Sequence, residues 1–509
     1  MKPSTLNLRA DLPASLVVFL VALPLCLGIA LGSGAPLLSG VVAGVVGGVV
    51  VGLLSKSPLS VSGPAAGLTT VVFSAIHELG AFELFLVAVV LAGAMQVVLG
   101  LLRLGVVGHY VPNTVIKGMM AAIGLILILK QIPHLVGYDA DYFGDEGFDQ
   151  PGPENTFSGM LHALGSLSPG ATLVGIVSLV GLQLADAIGY AKTAVGKVVP
   201  AALLAVTGGT LLAALLPELL GATWSVSDVH RVQLPALGSS WSAPEWSALG
   251  QPAVWTIALT LAVIASLESL LSIEAADRID PLKRVTPTNR ELLAQGVGNM
   301  ASGVLGGLPV TSVVVRTSVN AQAGAQSRWS AVAHGVILAL SVVLLTPVLN
   351  QIPLATLAAV LIATGFKLTH PTKVIAPLVR QGMMQWIPFA VTVLAILLTD
   401  LLKGITVGLL VATVFIAFND FKSTVSLTHI GTNYILQLRR NVSFLNKGKL
   451  KESLEKLPKG CSLLVDFTQA DFVDPDILEV IHDFATHSGL LGIEVTVRRS
   501  PHQDYLESL

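Results

Sequence analysis

Two stretches of sequence decide the fold: Val61-Ser62-Gly63-Pro64-Ala65-Ala66-Gly67 and Gly306-Gly307-Leu308-Pro309-Val310-Thr311-Ser312. Each puts glycine and proline inside a long apolar segment. In lipid, a broken helix leaves backbone groups without partners at a high energetic cost, so breaks are tolerated mainly where they line a polar cavity. Breaks in both halves of one chain are typical of transporters in which the N-termini of half-helices face an anion. The two stretches therefore predict a substrate site.

Apolar runs recur along most of the 509 residues, of which 53% are hydrophobic and 12% charged, and the mean hydropathy is +0.77. A helical span needs about 20 residues, so the chain has room for about fourteen spans, some of them discontinuous. We place them at 12–32, 36–54, 62–77, 81–104, 110–133, 171–189, 198–220, 252–276, 291–305, 309–323, 329–348, 353–368, 386–400 and 402–418. The third and tenth spans carry the breaks, which suggests an inverted repeat of seven plus seven spans.

The charges indicate orientation and exclude some classes of function. A net charge of −2 gives no electrostatic reason to expect nucleic-acid binding. Basic residues fall on alternate connections, whereas the connection after residue 137 is acidic, so both termini are expected in the cytoplasm of a multi-pass inner-membrane protein. The basic set is Lys56, Arg103, Lys192, Lys197, Arg278, Lys283, Arg284, Arg290, Arg328, Lys367, Lys373 and Arg380, and the acidic set is Asp139, Asp141, Asp145, Glu146, Asp149 and Glu154.

The composition changes after residue 418, where a small soluble domain begins. Residues 462–467 and 492–497 are typical of buried strands, and 476–487 is typical of a helix between them. We therefore predict an all-α polytopic membrane domain at 1–420 and a short α/β domain at 430–509. The two cysteines, Cys26 and Cys461, are too few and too distant for a disulfide framework or a thiolate metal site.

Several motifs together resemble the SulP family of inorganic anion transporters with a C-terminal STAS domain. They are residues 112–118, 267–271, 298–309 and the pair Arg316-Thr317. The resemblance implies a homodimer in which a core domain (spans 1–4 and 8–11) moves against a gate domain (spans 5–7 and 12–14) like an elevator.

Some positions depart from the family pattern, and others indicate a subgroup. Where many relatives have Pro-Gln in the first span, this chain has Pro24-Leu25-Cys26, and Pro475 occupies the position of the phosphorylatable serine in related domains. Residues 23–31 and 61–68 resemble a bacterial subgroup often associated with carbonic anhydrase. The resemblance therefore implies bicarbonate first and sulfate second, with carbonic anhydrase as an expected cytoplasmic partner.

The predicted substrate-binding residues surround the two breaks. Ser62 can cap a helix and Pro64 suits its first turn, while Pro309 is expected to begin the second helix. The anion would contact backbone N–H groups there, and Arg316 follows one turn later as a fixed positive charge. A cation within a span is costly, so it is functional by default. The predicted set is Gly63, Pro64, Ala65, Ala66, Val310, Thr311, Ser312, Val313 and Arg316.

Alternatives remain for each of these features. The small residues at the breaks could serve tight helix packing, and Arg316 could bridge helices or pair permanently with Glu268. Glu268 could instead bind Na⁺ together with Ser272, four residues on and on the same helical face, or take up a proton. The family resemblance favours the proton, since similar family members that use Na⁺ tend to have Asp and Thr at these two positions. No cofactor other than such a coupling ion is expected.

Four other polar residues lie in or beside the spans. Lys117 and Lys130 are predicted to extend their charges to the membrane interface, and Gln96 and His334 to form hydrogen bonds between helices. The membrane region has neither a nucleophile–base pair nor a metal cluster, so no catalytic residue is predicted. The sequence thus favours a secondary transporter over an anion channel or exchanger, or over a sensor whose tail recruits a partner.

Overall fold

The computed structural model describes residues 7–143, 145, 147–148, 155–193, 195–196, 198–234, 241–370, 375–380, 382–431 and 433–499. The chain divides into two compact units, Met1–Leu409 and Leu410–Leu509. Five charged residues used in the orientation argument, namely Glu146, Asp149, Glu154, Lys197 and Lys373, lie outside the described residues.

The first unit consists almost entirely of helices, the last of which, α18, begins in this unit and continues past Leu409. They are α1 (Leu8–Gly32), α2 (Leu37–Val46), α3 (Gly52–Leu54), α4 (Thr69–Leu79), α5 (Phe82–Leu101), α6 (Asn113–Leu135), α7 (Thr156–Gly165), α8 (Pro169–Ala187), α9 (Ala201–Leu220), α10 (Pro252–Ile279), α11 (Thr288–Val304), α12 (Val314–Gln322), α13 (Trp329–Leu344), α14 (Thr346–Leu349), α15 (Leu354–Leu368), α16 (Ala376–Arg380), α17 (Met383–Leu398) and α18 (Leu401–Thr424). A π-helical stretch, Gly47–Val51, joins α2 to α3. Two short strands, β1 (Ser62–Pro64) and β2 (Val310–Ser312), complete the unit.

The predicted fold class is confirmed. Within the described residues, seven helices are long and apolar enough to cross a membrane, and five shorter apolar helices accompany them. Each predicted span coincides with a helix or with a break followed by a helix. Helix α7 was not predicted, because it lies in the polar connection after α6. The Asn155 side chain caps it by accepting hydrogen bonds from the N–H groups of Phe157 and Ser158.

The two breaks pair with each other. Strands β1 and β2 are antiparallel, with Gly63 opposite Thr311 and Pro64 opposite Val310. The predicted helix starts at Ser62 and Pro309 are therefore wrong. The backbone is extended at both breaks, because strand pairing satisfies groups that would otherwise be unpaired away from water. Helical structure resumes in a 3₁₀ turn at Ala66–Leu68 and in α12 at Val314.

Close helix packing brings α11 alongside α5. A Cβ atom at Gly93 would lie 2.5 Å from the Met300 backbone nitrogen, and one at Gly296 would lie 2.6 Å from the Gly93 carbonyl oxygen. Only glycine fits at such distances. The two helices consequently approach backbone to backbone, and this approach positions Asn299 of α11 beside β2.

The second unit is a small α/β domain. Its strands are β3 (Val425–Ile430), β4 (Asn433–Val442), β5 (Ser462–Val473) and β6 (Glu494–Arg498), and its helices are α19 (Lys447–Glu455) and α20 (Pro475–His487). The strand order is β3-β4-β5-β6, with the first pair antiparallel and the others parallel. The sheet begins at Val425, earlier than the predicted boundary, because β3 directly continues α18. Residues 500–509 of the predicted domain lie outside the described residues.

Candidate functional site

Asn299 holds the late break in place. Its Oδ1 accepts from the Val310 N–H at 2.6 Å, and its Nδ2 donates to the Val310 carbonyl oxygen at 2.9 Å and to Gln96 Oε1 at 2.7 Å. The side chain is 2% exposed. One buried amide therefore satisfies both backbone groups of a residue that no helix supports. Gln96 also donates to Ser266 Oγ at 3.3 Å, so its predicted interhelical role is confirmed.

Three of the backbone amides predicted to bind the anion already have partners. The Val310 N–H donates to Asn299, the Ser312 N–H to Ser269 Oγ at 3.2 Å, and the Val313 N–H to the Val61 carbonyl oxygen at 3.1 Å. The prediction that these amides are free is wrong, since the extended backbone directs them to protein acceptors. The helix begins at Val314, so the first-turn amides of α12 follow that residue.

The early break shows a comparable shift. Gly63 and Pro64 lie in β1, and Ala65 precedes the 3₁₀ turn, in which the Leu68 N–H donates to the Ala65 carbonyl oxygen at 3.3 Å. The first-turn amides are those of Ala66 and Gly67. The predicted donor region therefore begins slightly later than the sequence suggests. It still lies directly after the paired strands.

Arg316 is fully buried against the early break. Its side chain is 0% exposed, and a Cβ atom at Gly63 would lie 2.0 Å from Arg316 Nη1. Nη2 contacts Cys26 Sγ at 3.3 Å. Among the described residues, neither Nε nor Nη1 has a hydrogen-bond partner. The structure thus brings Gly63 and Arg316, predicted from opposite halves of the chain, into contact.

Strand β2 also contains a buried polar group without a hydrogen-bond partner. The Thr311 hydroxyl, opposite Gly63, is fully buried and has no partner among the described residues. Buried polar groups are nearly always paired, and an unpaired buried charge is strongly unfavourable. A guanidinium and a hydroxyl that both lack partners can bind an oxyanion, which accepts hydrogen bonds and carries the opposite charge.

Glu268 lies on the α10 face that meets the early break. It is 5% exposed, and its Oε1 is 3.4 Å from the position of a Cβ atom at Gly67. Ser272, 3% exposed, lies one turn further along α10. Glu268 is not bonded to Nε or Nη1 of Arg316, since both atoms lack partners in the described part of the chain. The carboxylate and the guanidinium therefore flank the break separately.

A cavity of about 540 Å³ reaches the early break between α4 and α10. Gly67 is one of its lining residues, and the polar side chains in its walls are Thr70, Ser74, Glu78, Thr256, Thr260, Asp400 and Lys403. The described residues contain no group of three histidine, cysteine or acidic side chains able to hold a metal ion.

A second polar cluster lies where α6 ends. Lys130, 5% exposed, donates to Asp141 Oδ2 at 3.1 Å and also to Asp145. The prediction that Lys130 extends to the interface is wrong, because the acidic connection folds back over the end of α6. Lys117 is half-buried.

In the same connection, Asp139 accepts hydrogen bonds from His134 Nδ1 at 2.5 Å and from His230 Nδ1 at 2.6 Å. Burial alone would raise the pKa of Asp139, but its hydrogen bonds with the two histidines hold the pKa below its usual value.

Sequence reasoning missed two residues of the site and misjudged one. Asn299 appeared only as part of a family motif. An asparagine near a predicted break can form hydrogen bonds with the backbone groups that the break leaves without helical partners, and this signal was in the sequence. Cys26 was noted as a departure, but its contact with Arg316 requires the fold. His334 was predicted to bond another helix. It is 0% exposed, and neither ring nitrogen has a partner among the described residues, so that prediction is wrong.

Helices long and apolar enough to span a membrane, two paired breaks and a buried cation together are typical of a membrane transporter. The model of the sulfate permease family matches residues 8–387, and the chain belongs to this family of anion transporters. It is 30% identical over 364 residues to the putative sulfate transporter YvdB of Bacillus subtilis, covering 71% of this chain and 65% of the relative. It is 26% identical to the bicarbonate transporter BicA of Picosynechococcus, covering 71% and 62%. The chain thus spans less than two thirds of these relatives.

Solved structures share the fold. The transmembrane domain of a cyanobacterial BicA superposes with a TM-score of 0.53 at 23% identity, covering 80% of this chain and 97% of that one. Murine Slc26a9 in the inward-facing state gives a TM-score of 0.67 at 15% identity, covering 96% and 85%. At these identities the likeness concerns the fold alone.

Proposed function

We propose that the protein is a secondary active transporter that moves a small inorganic anion, bicarbonate before sulfate, across the inner membrane. The observation that carries the proposal is Arg316. This fully buried guanidinium lies against Gly63, and its Nε and Nη1 have no partner in the described part of the chain. An anion bound there would neutralise the charge and accept both hydrogen bonds.

The charge of the site favours bicarbonate. A singly charged anion next to one buried guanidinium forms a neutral pair, whereas a doubly charged sulfate leaves one charge uncompensated away from water. Thr311 adds a hydroxyl donor, and the amides after Ala65 add the positive end of a helix. Sulfate, the substrate in the name of the relative YvdB, is the second candidate, and binding it would require a further positive charge.

Glu268 is proposed to couple transport to H⁺ or Na⁺. It is buried beside Gly67, which is one of the residues that line the cavity between α4 and α10. A carboxylate there can take up a proton, or it can hold Na⁺ together with Ser272, and either event changes the charge next to the anion. We favour the proton, because the Ser272 hydroxyl is a single neutral ligand for a metal ion.

The remaining parts of the proposal follow from the SulP resemblance and the charge distribution. Spans 1–4 and 8–11 would form the moving core, spans 5–7 and 12–14 the gate, and two copies of the chain a homodimer. Both termini would face the cytoplasm. The C-terminal α/β domain would be a STAS domain, placed there to meet a partner such as carbonic anhydrase.

The proposal is tested by uptake of labelled bicarbonate into proteoliposomes, with an imposed H⁺ or Na⁺ gradient and sulfate as competitor. We expect accumulation above equilibrium with one of the two gradients, and no accumulation with Arg316→Met. Flux that runs only down the anion gradient would indicate a channel or exchanger instead. No accumulation of bicarbonate or sulfate under any gradient would overturn the proposal.

A further inference from the structure

A buried histidine behind Arg316 has no role in the site described so far. His334 lies on α13, is 0% exposed, and has no hydrogen-bond partner at either ring nitrogen among the described residues. A satisfied core histidine would have at least one partner, since buried polar groups are nearly always bonded. Its unused capacity is therefore the same anomaly that marks Arg316.

The packing of α13 places this histidine next to the anion site. Gly335 packs on α2 and its π-helical extension, since a Cβ atom at Gly48 would lie 2.7 Å from Gly335 Cα. Leu338 lies about one turn further along α13. A Cβ atom at Gly44 would lie 2.7 Å from the Leu338 side chain and 3.8 Å from Arg316 Nη1. His334 lies four residues before Leu338 and therefore on the same face of α13, the face directed toward Arg316.

The titratable groups around His334 are few. Helix α12 contributes Arg316 and α1 contributes Cys26, which itself contacts the guanidinium. The segment 37–54 and α14 contain no titratable residue. Asp11, at the start of α1, binds the N–H and hydroxyl of Ser327 before α13 begins. Of these three groups, Arg316 is the one that carries a positive charge.

We propose that His334 takes up a proton together with the anion. In the empty site a second positive charge beside Arg316 is repelled, because like charges are screened little away from water. A bound anion offsets the guanidinium charge, so the imidazole can then accept a proton. Because linkage is reciprocal, the proton strengthens anion binding by the same factor.

This inference rests on the proposed anion site and deepens it. With a neutral imidazole the site balances a monoanion, and with an imidazolium it balances a dianion such as sulfate. His334 would thereby supply the further positive charge that sulfate needs. The proton enters from water, binds a ring nitrogen lone pair, and leaves to water when the anion dissociates, so no other reactant is required.

The test measures protons taken up per anion bound. Sulfate is titrated calorimetrically into the full-length detergent-purified protein between pH 6 and 8.5, in two buffers with different ionisation enthalpies. We expect wild type to take up close to one proton per sulfate in part of this range, with affinity falling up to about tenfold per pH unit there. His334→Gln keeps polar atoms but cannot be charged, so it should take up close to one proton fewer per sulfate than wild type, and its affinity for sulfate should vary less with pH.

Two comparisons make the result specific. His482→Gln, on the exposed surface of α20, should behave like wild type. Glu268→Gln should retain proton uptake if His334 is the site, and its loss there would assign the proton to Glu268 and overturn the inference. Sulfate binding by wild type without proton uptake would also overturn it, even if His334→Gln fails to fold. Absence of sulfate and bicarbonate binding would instead contradict the proposed anion site itself.

Discussion

Gly63→Ala tests whether the guanidinium of Arg316 binds the anion. The added Cβ atom would lie 2.0 Å from Arg316 Nη1, whereas ordinary van der Waals contact begins at 3.4 Å. The methyl group meets the end of a side chain, so the guanidinium must move by about 1 Å or more while the backbone can stay in place. A hydrogen bond to a charged group contributes about 1.5–3 kcal/mol. Losing one should weaken anion binding about 10- to 100-fold.

The assay is the half-saturating bicarbonate concentration for uptake in proteoliposomes, with folding followed by size-exclusion chromatography. Two glycines provide controls. Gly181→Ala places its methyl group in open space and should match wild type, whereas Gly47→Ala brings a Cβ atom to 2.4 Å from the Ser62 carbonyl oxygen and should impair folding. If folded Gly63→Ala binds the anion as tightly as wild type does, Arg316 does not hold it.

Three further predictions concern residues around the breaks and in the polar cluster at the end of α6. Glu268→Gln should abolish the dependence of bicarbonate uptake on the cation gradient while leaving downhill anion exchange, since His334 stays neutral beside a monoanion; unaltered gradient dependence would defeat the proposed coupling role. Asn299→Ala should lower thermal stability by about 1–3 kcal/mol or more, since it leaves the Val310 N–H buried without a partner, and a melting temperature equal to that of wild type would show that Asn299 is not the brace. Asp139 has a lowered pKa, so its contribution to stability is present above its unfolded-state value and is lost as pH falls through the folded-state value. The thermal stability of wild type should therefore fall as the pH drops below about 4. Asp139→Asn should be less stable than wild type at pH 7 and should lose less stability as the pH falls. A stability profile identical to that of wild type would contradict the argument.

The helices were predictable because lipid imposes a simple rule on sequence. Every spanning segment must be apolar and satisfy its own backbone, so apolar runs such as 82–101 give the span directly. Helix α7 was missed since it lies in the polar connection, where no such rule applies. The positions of the breaks were also predictable, because glycine and proline cluster within a few residues there, whereas single prolines such as Pro24 stay inside a helix.

The geometry within the breaks was not predictable. Local rules place Ser62 and Pro309 at helix starts, but the strand pairing that decides their conformation joins residues from opposite halves of the chain. The same limit applies to His334. Its lack of a partner follows from which helices surround it, and a single sequence does not state that.

The most direct test of the account is thermal stability of Arg316→Met with and without bicarbonate. Replacing a buried unpaired charge by an apolar side chain is often neutral or stabilising, so the variant should melt at or above the temperature of the anion-free wild type. Bicarbonate at about a hundred times its Kd should stabilise wild type by about 2.7 kcal/mol and leave Arg316→Met unchanged. Equal stabilisation of both proteins by bicarbonate would contradict the account, since the anion would then bind without the guanidinium.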